Sequence, residues 1–281
     1  MSEQGELARR FRELHGNGTI IVLPNVFDAA GAKLAARRGP VALGTTSAGI
    51  CWSLGYADGD RMPRAEMLAA VARIVGSVEV GVTVDVEGGY GDSPGEVAAT
   101  VGSVIEAGGI GINIEDAARQ AGTADPLLPV EVFAANIAAA REVADSAGIE
   151  LTINARTDVF LANAADDESD RIALVIERGN RYLEAGADCV FVPGAVGRPT
   201  IAALVSGMRG PVNVMVLPGL PSVPELQELG VARVSVGAAP SQASLALLDR
   251  IYEELLGDGT YELMLSRPLP FADAQQLVLR G

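Results

Sequence analysis

Two apolar runs in this chain stop abruptly on carboxylates. One is VTVDVEGGYGD, from Val82 to Asp92; the other is GINIED, which ends on Glu115 and Asp116. A buried parallel strand ending in acids places hard oxygen ligands at the rim of a sheet, where open α/β folds and barrels carry their chemistry. Asp85, Glu87 and Glu115 form a set able to hold one Mg²⁺, mostly through water, because that ion favours octahedral oxygen and keeps much of its hydration. A lone strand-end acid more often caps the next helix. Three of them on two strands, beside a Gly-Gly-Tyr-Gly turn, point to a metal. Asp85 and Glu87 alternate along an extended run and are expected to face the same way.

Other rim residues extend this set. In ELTINARTD, the period of two puts Asn154, Arg156 and Asp158 on one face. A guanidinium facing a barrel interior is costly unless acids or an anionic ligand pair with it. Arg156 therefore reads either as a clamp for a carboxylate or phosphonate, or as half of a structural Arg–Asp pair. In TTSAGICWSLGYADGD, the small residues Ser47, Ala48 and Gly49 can present a hydroxyl and backbone N–H groups to an anion. Asp58, farther along that loop, either reaches the site or turns the chain. Tyr90 either contacts substrate or packs its turn. Asn25, Asn213 and Ser235 are further rim positions, and Asp28 reads as the N-cap of AAGAKLAARR. A metal held by acids, a guanidinium opposite and backbone donors nearby would bind a small oxyanion and stabilise charge developing on it, for instance on an enolate oxygen. The reaction class that follows is metal-assisted chemistry on a 2-oxo or 2-hydroxy carboxylate.

These residues need elements to hold them. Eight apolar runs have strand character: 19–25, 41–47, 81–87, 110–116, 150–158, 187–194, 211–217 and 231–237. Amphipathic helix-like stretches lie between them, punctuated by Gly39, Gly108, Gly148 and Gly186 after their last periodic turns. Eight strands, each followed by a helix, predict a (β/α)₈ TIM barrel. The alternative, a doubly wound open sheet, is disfavoured because LPNVFDAA rather than GxGxxG follows the first strand. The chain reads as one barrel domain over 1–281. A lid segment is expected at about 116–130, directly after Glu115, and a helical tail at about 239–281.

Composition excludes several chemistries. With 281 residues and 49% hydrophobic content, there is ample core material, built from aliphatic residues because aromatics are only 4%. Net charge is −15, which argues against a nucleic-acid partner. Lys33 is the single lysine and falls mid-helix, so a Schiff-base mechanism has no candidate. His15 is the single histidine, which removes histidine-rich metal sites and leaves Ser-His-Asp chemistry without support. Cys51 and Cys189 do not make a disulfide framework. No signal-peptide core or membrane-length apolar run is present, so a cytoplasmic setting is expected.

The segments LPNVFDAA, TTSAGICWSLGYADGD, VTVDVEGGYGD, GINIED, INARTDVF and YLEAGADCVFVPG, in that order across residues 19–240, resemble the isocitrate lyase / phosphoenolpyruvate mutase superfamily. The resemblance implies a (β/α)₈ barrel whose last helix swaps between subunits, in a homotetramer built as a dimer of dimers. It implies Mg²⁺ at Asp85, with Glu87 and Glu115 holding its waters. Ser47 and its neighbours would bind the substrate carboxylate, Arg156 would hold the other end of the anion, and Asp58 matches an acid carried on the loop after strand two. Family reactions make or break C–C or P–C bonds next to an oxo acid. The lid departs from the pattern: DAARQAGTADPL has neither the Cys and Lys of lyases cleaving isocitrate or methylisocitrate nor the Lys and Asn of phosphonopyruvate-forming mutases, and Arg119, Gln120 and Thr123 stand there instead. The expectation is an Mg²⁺-dependent carbon–carbon lyase acting through an enolate-like intermediate, with proton transfer assigned to Asp58, Tyr90, water or a lid residue. The alternatives are phosphonate P–C chemistry and a metabolite-binding barrel with little catalysis.

Overall fold

The computed structural model describes residues 2–118 and 126–279. Nine strand segments run parallel in one continuous ring. The first two, Ile21–Leu23 and Asn25–Val26, are halves of a single stave, β1. The others are β2 (Leu43–Thr45), β3 (Val82–Asp85), β4 (Gly111–Glu115), β5 (Thr152–Arg156), β6 (Cys189–Val192), β7 (Val212–Met215) and β8 (Arg233–Ser235). Every neighbouring pair is consecutive except β8 and β1, which close the ring, and helices flank the staves. The architecture is the expected (β/α)₈ barrel.

The seam explains why β1 is split. Its first half pairs with β8 (Ile21 opposite Arg233, Leu23 opposite Ser235) and its second half with β2 (Asn25 opposite Gly44). Pro24, which has no N–H to donate, sits at the switch, and its carbonyl accepts from the Gly44 amide at 2.9 Å. Gly44 is required there: a Cβ would lie 2.8 Å from Leu23 Cδ2 and 3.0 Å from Asn25 Nδ2. Asn25 then locks the seam. Its Oδ1 accepts from the Val236 and Gly237 amides at 2.8 and 3.0 Å, and its Nδ2 donates to the Thr45 carbonyl at 2.9 Å.

Along each stave, apolar residues alternate with polar ones. Val82, Val84, Ile112, Ile114, Ile153, Val190, Val212, Val214 and Val234 are buried among the apolar side chains of the surrounding helices. The alternate positions carry Thr83, Asn113, Thr152, Asn154, Asn213, Arg233 and Ser235, all buried as well. The barrel interior is therefore polar, where many barrels fill it with branched aliphatic residues. The predicted helix stops hold, since Gly39, Gly108, Gly148 and Gly186 all adopt positive φ after helix ends.

At the end where the strands begin, helix Glu3–Leu14 closes the barrel. Arg12 Nε donates to Asp188 Oδ1 at 2.6 Å, and Phe11 is buried beneath the Arg233 guanidinium, 5.8 Å from ring centroid to Cζ. His15 is buried there too, with Nδ1 2.9 Å from the Phe11 carbonyl. A hollow of about 560 Å³ on this face is lined by Leu7, Phe11, Leu14 and Val41 together with Arg10, Glu13 and Glu79.

Of the lid segment, residues 116–118 and 126–130 are described. The base is pinned by an antiparallel bridge between Ala117 and Leu127, while Arg119, Gln120, Gly122, Thr123 and Asp125 lie outside the described residues. The expected tail is helix Ala239–Glu253, which runs into a wider turn at Glu254–Asp258, and then helix Phe271–Val278; a short helix at Glu262–Ser266 was not anticipated. No helix among the described residues is long and apolar enough to cross a membrane.

Candidate active site

The C-terminal ends of the strands converge on a cavity of about 170 Å³. Ser47, Ala48, Asp58, Asp85 and Arg156 line it, together with Asn25, Asn113, Phe191, Met215 and Ser235. Asp85 closes β3. Its amide donates to Thr45 Oγ1 at 2.8 Å, and its Oδ2 accepts from the Ser47 amide at 3.1 Å. The first turn of the short helix Ser47–Ser53 thus points an N–H at a carboxylate of the protein itself. Gly49 does not reach the cavity, contrary to expectation; its missing Cβ makes room for Phe27, whose Cβ it would otherwise meet at 2.7 Å.

Glu87 arrives by a different route from the one expected. Strand β3 ends at Asp85, and Glu87 takes a left-handed conformation with φ 52°. The simple alternation of an extended run therefore does not orient it. Its carboxylate is instead fixed by hydrogen bonds: Tyr90 Oη donates to Oε1 at 2.8 Å and the Asp60 amide donates to Oε2. Tyr90 and Asp60 are also left-handed, at 55° and 56°. Three strained residues thus meet at one carboxylate, a pattern that concentrates at functional sites. Tyr90 packs its turn and holds Glu87, and its side chain does not line the cavity.

Glu115 ends β4 next to Arg156 at the end of β5. Arg156 Nη1 lies 2.7 Å from Glu115 Oε2, while its Nε and Nη2 grip Asp158 bidentately at 2.5 and 2.8 Å. Both readings of Arg156 therefore meet in one residue: it is paired with acids and it faces the cavity. A guanidinium carries five N–H donors, so capacity remains toward a ligand. Asn213 lies on the right face but too deep. It is fully buried, bonded to Ser235 Oγ at 3.4 Å, and Met215 takes its place at the mouth. Asp28 caps its helix, accepting from the Gly31 amide at 2.6 Å.

Electrostatically the site is short of positive charge. Burial raises the Asp85 pKa, with Arg156 opposing. Burial pushes Glu87 up to about 7, against the hydrogen bonds from Asp60 and Tyr90. Burial raises Glu115 as well; Arg156 opposes this, and the neighbouring Asp158, Asp85 and Glu87 add to it. A hard divalent cation would relieve this excess, and an all-oxygen carboxylate set suits Mg²⁺. Among the described residues, the trio of potential ligand atoms lying within 4.8 Å of one another is Cys51, Asp58 and Glu87, not Asp85, Glu87 and Glu115. The wider spacing of the acids suits an ion that keeps its waters. Cys51 sits beside Asp58 and Glu87. Burial, then the charges of Glu87 and Asp58, push its thiol up to about 12, and its sulfur is a soft donor ill matched to Mg²⁺.

Several site residues escaped the sequence reading. Asn113 lies two residues before Glu115 on the same face, so the period of two could have found it. Phe191 and Met215 carry no chemical signal, and only the closed barrel brings them to the mouth.

Residues 11–256 match the phosphoenolpyruvate phosphomutase family. An uncharacterized protein of Mycobacterium tuberculosis is 37% identical over 266 residues, covering 94% of both chains. The 2,3-dimethylmalate lyase of Eubacterium barkeri is 30% identical over 222 residues, covering 73% of each. Among solved structures, a Burkholderia cenocepacia J2315 protein named only provisionally, as a lyase/mutase, superposes with a TM-score of 0.90 at 35% identity, over 98% of this chain and 97% of its own.

Proposed function

Since the chain belongs to the isocitrate lyase / phosphoenolpyruvate mutase superfamily, we propose that it is an Mg²⁺-dependent lyase cleaving a C–C bond in a small 2-oxo or 2-hydroxy carboxylate. The observation that supports this reading is a cavity lined by Asp85 and Arg156, with Glu115 paired to Arg156 just behind it and near enough to Asp85 and Glu87 to feel their charges. Asp85 would hold the ion, with Glu87 and Glu115 ordering its waters. The chemistry a bound Mg²⁺ supplies here is stabilisation of negative charge on an oxo-acid oxygen. Arg156 would bind a substrate carboxylate with its unused N–H groups, in an orientation set by Glu115 and Asp158. Ser47 Oγ and Ser235 Oγ would meet the other polar groups of the anion. Phe191 and Met215 form an apolar wall suited to an alkyl substituent. Tyr90 is a positioning residue in this scheme, because its hydroxyl is spent on Glu87. Asp58, exposed at the mouth, is the group able to exchange protons between cavity and solvent.

The test is product formation from oxaloacetate, 2-methylisocitrate and 2,3-dimethylmalate with Mg²⁺, in the wild type and in Asp85→Ala. Turnover of one of these, abolished by the substitution, is expected; turnover of none of them would refute the proposal. Phosphorus NMR with phosphonopyruvate distinguishes P–C chemistry, which alone would move that resonance.

We also propose a homo-oligomer. Leu245, Leu247, Leu248 and Tyr252 on helix Ala239–Glu253 are 41–53% exposed, and Val22 on β1 is 47% exposed. A helix that leaves its apolar side chains in solvent, beside a barrel strand with an uncovered outer face, fits exchange with a second copy.

A further inference from the structure

Asp116 does not line the cavity. What it faces is a second polar cluster with no place in the scheme above. The side chain is fully buried, and its two oxygens accept four hydrogen bonds: Oδ1 from the Asp158 amide at 2.9 Å, and Oδ2 from Thr157 Oγ1, Arg178 Nε and Tyr182 Oη at 2.8, 2.9 and 2.8 Å. Three of the four fall on Oδ2 and one on Oδ1. Arg178 and Tyr182 are four residues apart on helix Glu168–Glu184, hence on one face of it. Arg178 Nη2 also donates to the Leu128 carbonyl at 2.6 Å, and the Leu128 amide donates to the Asp116 carbonyl at 2.8 Å.

The cluster leads directly to the anion clamp. Asp116 fixes the Thr157 side chain and the Asp158 backbone, and the Asp158 carboxylate in turn grips Arg156 bidentately. The Asp116 amide donates to the Arg156 carbonyl at 3.2 Å, and Glu115, the other partner of Arg156, precedes Asp116 in the chain. The tips of β4 and β5 are thus stitched together on both faces. On the inner face the stitch is Glu115 to Arg156. On the outer face it is Asp116 to residues 157 and 158.

We infer that Asp116, backed by Arg178 and Tyr182, is a positioning residue for anion binding, which sets the direction of the Arg156 guanidinium through Asp158. The inference rests on Arg156 being the anion clamp. The cluster touches neither the cavity nor Asp85, and it reaches the metal residues only through the Arg156–Glu115 pair, so its loss should weaken anion binding more than metal binding.

The full-length chain is titrated with Mg²⁺, and then with oxalate in saturating Mg²⁺, by calorimetry. The variants are Tyr182→Phe, Asp116→Asn, Asp158→Asn and the Tyr182→Phe/Asp158→Asn pair. Tyr182→Phe deletes one hydroxyl and keeps the ring packed edge-on against Phe133, 4.8 Å between centroids, so it serves if Asp116→Asn does not fold. Oxalate affinity is expected to fall about tenfold in either single variant of the cluster while Mg²⁺ affinity falls much less. The Tyr182→Phe effect should vanish when Asp158 is already Asn. Additive losses, parallel loss of Mg²⁺ affinity, or unchanged oxalate affinity would each overturn the inference. A wild type that ignores oxalate would instead refute the clamp reading. In that case the Nε–H resonance of Arg156, assigned with Arg156→Lys, decides: it should lose protection from solvent exchange in Tyr182→Phe, and an unaltered resonance would overturn the inference.

Discussion

The single histidine offers a sharp test of how the barrel is closed. His15 is 5% exposed under the barrel floor, with Nδ1 against the Phe11 carbonyl and the Arg233 guanidinium close by. Burial, then the charge of Arg233, lower its pKa from 6.5 to about 4. The sign follows from proton counting: between those two values the unfolded chain binds the proton and the folded one does not, so stability rises with pH across the window. Above pH 6.5 His15 is neutral in both states and costs nothing. As pH falls toward 4 the fold loses about 3 kcal/mol from this residue alone, at 1.36 kcal/mol per pH unit. The comparison is wild type against His15→Phe, which keeps the edge-to-face packing on Phe11 (4.9 Å between centroids) and removes the titrating group. Urea unfolding at fixed protomer concentration, at pH 7.0, 5.5 and 4.5, should show the wild type losing more stability than the variant as pH falls. Carboxylate contributions common to both cancel in the difference. Parallel stability curves would refute the reasoning and show His15 hydrated or charged in the fold.

Tyr90→Phe should weaken Mg²⁺ binding about tenfold, by removing the hydrogen bond that orients Glu87; a fall in kcat with unchanged Mg²⁺ affinity would instead make Tyr90 a proton-transfer residue. Both thiols are pushed up to about 12 from an ordinary value of 9.0, by burial first. Their thiolate fraction near neutral pH is therefore about a thousandfold below that of a free cysteine, and activity should survive iodoacetamide, with mass spectrometry showing both unmodified in the native protein. Leu248→Glu on the exposed face of Ala239–Glu253 should convert the oligomer to smaller species in sedimentation velocity; an unchanged coefficient would separate that helix from assembly.

The barrel was legible because β-branched runs and helix-stopping glycines repeat with a regular rhythm, and each survives tertiary packing. Arg156 and its acidic partners were legible for a similar reason: alternation along β5 is kept to its last residue. Glu87 broke the rule. A left-handed glutamate is not something its own side chain announces, and only the flanking Gly88 and Gly89 hinted that the strand had ended. Asn213 was placed on the correct face at the wrong depth, because strand register is set by neighbours rather than by local sequence. Asp116 took partners 62 and 66 residues downstream, which no local pattern reveals.

The left-handed trio of Asp60, Glu87 and Tyr90 also has an evolutionary price. Each position would be more comfortable as glycine. Laboratory selection for heat resistance alone should therefore drift toward glycine there; Asp60→Gly would keep the backbone amide that holds Glu87, whereas Tyr90→Gly would release that carboxylate and Glu87→Gly would remove it. Durability and chemistry are set against each other at Glu87 and Tyr90, so a heat-selected lineage that kept full turnover should be found to have left those two untouched.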